Sequence, residues 1–178
     1  RPETERARQF AMTQLGNGLG NANHHEEELS VREAELSLAR RLGASESHML
    51  VMQGNLAVTY FKLGRVEQAL RIERDVYSGR LKLNGEQSHE ALVAASNYTG
   101  TLLDLERFKE AKSLLRSTVP VARRVLGENH DLTLSLRLMY AQSLYWNDDA
   151  TLDDLRKAVT TIEDTERTAQ RVLGGAHP

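Results

Sequence analysis

The chain has 178 residues, 40% of them hydrophobic and 27% charged, with three prolines and no cysteine, which is the composition of an ordered, helical domain or a short array of repeats. A formal net charge of −2 and a pI near 6.3 exclude a field that would gather nucleic acid or an anionic membrane surface. No apolar run reaches membrane-spanning length, and without cysteine neither disulfides nor thiolate metal sites exist, which fits a reducing, cytoplasmic compartment.

Hydrophobic spacing predicts eight helices, at about 3–18, 26–41, 47–62, 66–82, 89–104, 108–125, 131–146 and 152–172. In the first, Gly16, Gly18 and Gly20 each cost roughly 1 kcal/mol if helical, so this helix is expected to end early. "HHEEE" at 24–28 reads as a solvated helix start, since acids favour that end, and it lacks the helix-borne spacing of a zinc site. In the third and fourth helices, Leu50, Val51, Leu56, Ala57, Tyr60 and Phe61 recur at helical spacing. "KLGR" then breaks the pattern, and Val66, Ala69, Leu70, Ile72 and Val76 resume it. The fifth holds "NYT" at Asn97, a glycosylation sequon by chance within a helical pattern. The sixth holds Pro120, expected to kink it near Val119. Between the seventh and eighth lies the polar, acidic "WNDDATLDD", read as a loop. The chain starts at Arg1 without methionine and stops at "LGGAHP", which reads as a piece of a longer protein.

The helices fall on a ruler. Gly43, Gly85 and Gly127 are spaced by 42 residues, as are Asn55 and Asn97, Leu63 and Leu105, and Ala69 and Ala111. Ala111 to Ala158 and Gly127 to Gly174 span 47, so the acidic loop carries a five-residue insertion. A worn first copy aligns at a shift of 41. Such repetition marks a solenoid in which each unit buries its apolar face against its neighbours. The repeats run about 1–41, 42–84, 85–126 and 127–173, with 174–178 opening a further one.

The frame Leu56-Ala57, Tyr60, Gly64 and Ala69 resembles the tetratricopeptide repeat. The 42-residue period, "NLA", and the junctions "LGASESH", "NGEQSH", "LGENH" and "LGGAHP" are similar to the array of kinesin light chains. The resemblance implies an all-α, right-handed superhelical solenoid of about four helix-turn-helix repeats. It also implies a non-enzymatic module that binds an extended peptide of a partner on its concave face, as a cargo adaptor. The second reading it implies is a sensor or scaffold array beside an NTPase domain, binding within its own chain. Departures are Glu28 where a small residue belongs, Met139 in place of the asparagine, and Glu106 in place of Gly64.

By that frame the groove stripe comprises Phe10, Thr13, Gln14 and Asn17, then Val51, Gly54, Asn55, Val58 and Lys62. It goes on through Val93, Ser96, Asn97, Gly100 and Asp104, then Ser135, Leu138, Met139, Gln142 and Trp146. Each asparagine can donate to and accept from a peptide bond, and the small residues leave room for a ligand backbone. Lys62 is the stripe's chief cation and Asp104 offsets it, which disfavours a free carboxylate terminus as ligand. His48, His89, His130 and His177 mark the junctions, about one helix-packing distance of ~10 Å apart, where they are expected to cap or to bond across the turn rather than converge on a metal. "GNGLGNAN" fits no phosphate-cradling pattern, so no cofactor is expected. The oligomeric state is open.

Overall fold

The computed structural model describes residues 2–174. Its helices are α1 (Pro2–Asn21), α2 (His25–Arg41), α3 (Glu46–Lys62), α4 (Val66–Asn84), α5 (His89–Asp104), α6 (Phe108–Leu126), α7 (Asp131–Tyr145) and α8 (Leu152–Gly174). There is no strand among the described residues. The expected junction residue His177 lies outside them, as does the start of a further repeat beyond Gly174. Two compact units divide at the junction between the second and third repeats, Arg1–Leu83 and Asn84–Pro178.

The turn inside each pair explains why the helices stop where they do. Asn23, Gly64 and Glu106 occupy the same position in successive repeats and all have positive φ, 61°, 71° and 56°. At each turn the chain folds back by two bonds, such as Gly64 N–H to the Phe61 carbonyl and Arg65 N–H to the Tyr60 carbonyl, both 2.9 Å. This closure satisfies the last carbonyls of the helix and needs a left-handed residue. Glycine adopts that conformation freely and asparagine tolerates it. Glu106 adopts it at a cost of about 1–2 kcal/mol, so the third repeat keeps the turn despite losing its glycine.

At the opposite ends, Ser45 and Ser88 take extended backbone, and their hydroxyls accept from the His48 and Ala91 amides at 3.4 and 3.1 Å. The histidines therefore do not share one capping role. His130 caps α7 through Nδ1, 3.2 Å from the Leu132 amide. His48 Nε2 instead meets the Gln9 amide of α1 at 3.1 Å. The His89 and His130 rings stand edge to face with centroids 6.1 Å apart, closer than one packing distance.

In the first unit, Leu29, Leu36 and Ala39 of α2 pack with Met52 and Leu56 of α3, and Tyr60, Leu63 and Ile72 close over them. Tyr60 donates to Glu33 Oε1 at 2.9 Å, which ties α3 to α2. Burial and the Glu33 carboxylate push the phenol above its ordinary range. In the second unit, Leu92, Leu115, Ala122 and Leu136 form the core, and Ala141, Leu144 and Ala158 a smaller cluster beside Tyr140. Each buried leucine contributes about 1.5–3 kcal/mol relative to exposure. Pro120 lies inside α6 without ending it, at the cost of the helical donor to the Arg116 carbonyl.

Two expectations are corrected here. First, α1 runs through Gly16, Gly18 and Gly20 to Asn21. A Cβ on Gly16 would lie 2.8 Å from the Arg32 guanidinium, and one on Gly20 would lie 2.7 Å from the Glu28 carboxylate. The two glycines admit α2's charged side chains against α1, and that contact outweighs their helix cost. Second, "HHEEE" is solvated only in part, because Glu28 is buried. Its carboxylate faces His25 at 3.3 Å, Arg32 at 3.5 Å and Lys62 at 3.8 Å.

The inserted loop spans residues 146–151 and hands over to α8 through a reciprocal cap. Thr151 N–H and Oγ1 donate to Asp154 Oδ2 at 3.2 and 3.0 Å, and Asp154 N–H returns to Thr151 Oγ1 at 3.1 Å. Lys112 Nζ of α6 lies 2.8 Å from Asp154 Oδ1. These contacts, the lysine first, hold the Asp154 carboxyl down at about 2, from an ordinary 3.8. A depressed carboxyl stabilises the fold above its unfolded pKa, and that contribution is lost as pH falls through the folded one. Thermal unfolding between pH 5 and pH 2 should therefore show the native protein losing its advantage over Asp154→Asn. An advantage constant across that window would refute the linkage.

Candidate functional site

The stripe read from the sequence falls on the first helix of each pair, and its members differ in what they face. On α3, Val51 is 47% exposed and Val58 39%. Between them Gly54 has open space where a Cβ would stand, and Asn55 is half-buried. The Asn55 side-chain amide makes no hydrogen bond within its unit among the described residues, although the residue's backbone carbonyl accepts from the Thr59 hydroxyl. Lys62 is drawn toward Glu28 of α2, so its charge is partly spent inside the unit.

On α5, Val93, Asn97 and Asp104 are exposed, and the Asn97 amide likewise has no partner within its unit among the described residues. Ser96 is only 9% exposed, with Oγ 4.0 Å from the Met139 sulfur. A Cβ on Gly100 would touch the Met139 methyl at 4.0 Å. Met139 of α7 therefore fills the space that Ser96 and Gly100 leave, and the space expected for a ligand there is occupied by a neighbouring helix. Gln142 is half-buried, Ser135 and Leu138 are exposed on the same helix, and Trp146 is exposed just after its end.

On α1, Phe10 and Gln14 are exposed but Thr13 and Asn17 reach α2. Thr13 donates to Glu35, and Arg32 Nη2 donates to Asn17 Oδ1 at 2.7 Å. These contacts belong to a buried ionic cluster that sequence reasoning missed. Glu28, Arg32 and Glu35 are 3%, 4% and 1% exposed, and Arg32 lies 3.4 Å from Glu35. Helical spacing could have shown it, since residues 28, 32 and 35 share one face of α2 with the leucines.

Among the described residues no group of three or more histidine, aspartate or glutamate side chains is placed to hold a metal ion, and no helix is long and apolar enough to cross a membrane. The first unit thus presents exposed valines and an amide on α3, and the second presents an exposed valine and amide on α5 and exposed apolar side chains on α7. Such surfaces bind by apolar burial and neutral hydrogen bonds.

Residues 50–90 and 92–131 match the family model of the tetratricopeptide repeat. Among solved structures, one from Podosopora anserina described as "putative kinesin light chain nearly identical TPR-like repeats" has a TM-score of 0.76 at 17% identity, over 93% of this chain and 76% of that one. A point variant of it scores 0.78 with the same identity and coverage. BtubC (BKLC) from P. vanneervenii scores 0.65 at 14% identity, over 100% of this chain and 85% of that one. No curated protein matches the chain. At these identities the likeness establishes a shared fold, the all-α helical-repeat solenoid.

Proposed function

We propose that this chain, whose residues 50–90 and 92–131 match the tetratricopeptide repeat, is a non-catalytic module of the kinesin-light-chain type that binds an extended peptide segment of a cytoplasmic partner, in the manner of a cargo adaptor. Tetratricopeptide repeats generally mediate protein–protein interaction, and the observation that carries the finer reading is on α3 and α5. Each presents an asparagine amide with no partner in its own unit among the described residues, beside exposed valines, Val51 and Val58 with Asn55, and Val93 with Asn97. An amide so placed bonds a peptide group both ways, and the valines bury the ligand's apolar side chains.

The test is to capture a partner, map the bound segment to a peptide, and measure its affinity for Asn55→Ala and Asn97→Ala. One lost bond costs about 0.5–1.5 kcal/mol, so each substitution should weaken binding about two- to twelvefold. Raising salt moderately should change little, because few charges take part. A double variant that folds and binds as tightly as the parent would move the recognition surface off these helices.

A further inference from the structure

The second unit carries a charged cavity away from the α3 and α5 amides. Arg123 and Glu128, at the end of α6 and the turn after it, and Arg137 of α7 line a space of about 750 Å³ together with Asp164, Arg167 and Arg171 of α8. Four guanidinium groups there meet two carboxylates, and the carboxylates are already committed. Glu128 Oε1 accepts from Arg123 Nε at 2.6 Å, and Asp164 Oδ1 lies 3.2 Å from Arg167. Arg137 is only 9% exposed, and its one ion-pair contact among the described residues is Glu128 Oε2 at 3.5 Å. Arg171 donates to the neutral Thr168 hydroxyl at 3.3 Å. The cavity therefore holds two more cations than carboxylates: Glu128 is divided between Arg123 and the buried Arg137, Arg171 has no ion pair among the described residues, and a further anion would relieve that excess.

We propose that this cavity binds a phosphoryl group. A phosphomonoester carries about −1.5 to −2 charges at neutral pH, which matches the excess of two cations in the lining, whereas a single carboxylate would neutralise half of it. Arginine forks suit phosphate oxygens in bidentate fashion. The volume exceeds what one phosphate fills, leaving room for the chain or small molecule that bears it. Glu128 acts as an internal competitor, since its carboxylate occupies Arg123 and reaches toward Arg137.

The test titrates the 178-residue chain at constant ionic strength, following arginine Nε–H resonances by NMR. The probes are inorganic phosphate, pyrophosphate, and a short Gly-Ala peptide with one phosphoserine, beside its unphosphorylated twin. The phosphorylated probes should shift the Arg137 and Arg171 signals, and the twin should not. Arg171→Gln, an exposed change that spares folding, should weaken binding roughly tenfold, as for loss of a charge-assisted bond. Glu128→Gln should tighten binding by removing the competitor, an effect of opposite sign that a merely structural role would not produce. A phosphopeptide that outbinds inorganic phosphate assigns the site to a phosphorylated chain, and equal binding assigns it to a free phosphoanion; both support it. Equal shifts from phosphorylated and unphosphorylated peptides, no binding by any probe, or an affinity unmoved by Arg171→Gln and Glu128→Gln would overturn it.

Discussion

Arg32→Met is expected to destabilise the first unit by about 3–5 kcal/mol, the cost of breaking a buried ion pair from one side. Arg32 is 4% exposed and stands between Glu28 and Glu35. Methionine fills much of the volume, so the loss is electrostatic rather than a cavity. Glu28 would keep Lys62 and His25 within 4 Å, but among the described residues Glu35 would keep only the Thr13 hydroxyl. The damage should therefore concentrate at Glu35, and adding Glu35→Gln should restore part of the stability, as a double-mutant cycle would show. With two compact units a shift in melting does not say which of them lost stability, so hydrogen exchange in α1 and α2 is the measurement. Arg40→Met on the exposed face of α2 is the control, expected within about 0.5 kcal/mol. Unchanged protection of α1 and α2 in Arg32→Met would mean that the cluster contributes nothing net.

This cluster also marks where sequence reasoning stopped. Apolar periodicity placed the eight helices and the repeat ruler because the leucines and alanines that set them interact locally and recur every 42 residues. It misjudged α1 because propensity counts the cost of Gly16 and Gly20 but not the side chains of Arg32 and Glu28 packed on them. The same limit applies to the groove. Val51, Val58, Val93 and Asn97 are exposed, yet Ser96 and Gly100 face Met139, and Thr13 and Asn17 face α2. Residues one helical turn apart look alike on a wheel, and only the neighbouring helix decides which of them meets solvent. The arginine cavity was invisible for another reason: Arg123, Arg137 and Arg171 come from three helices and share no spacing.

Ala111→Leu is expected to cost the second unit about 1–3 kcal/mol by overpacking, with Ala69→Leu doing the same to the first. Both alanines are 0% exposed, and they hold the same place in the second helix of successive repeats. Their counterparts in the first helices are Ala57, Thr99 and Ala141, also 0% exposed. Small residues at both positions let the helices of a pair approach, so a leucine's three added carbons must push the backbone apart or force an unfavourable rotamer. At about 2–4 °C per kcal/mol for a chain of this size, the melting loss is easily resolved. Thr99→Ala makes the complementary case. Its buried hydroxyl has no hydrogen-bond partner among the described residues, and alanine already stands at 57 and 141, so removing the oxygen should be neutral or stabilising. Ala34→Leu, on an exposed position of α2, controls for leucine in a helix and should change little. Melting curves of Ala111→Leu and Ala69→Leu that match the parent would show that these faces do not meet inside the helix pairs, and the packing frame built on the 42-residue repeat would fall with them.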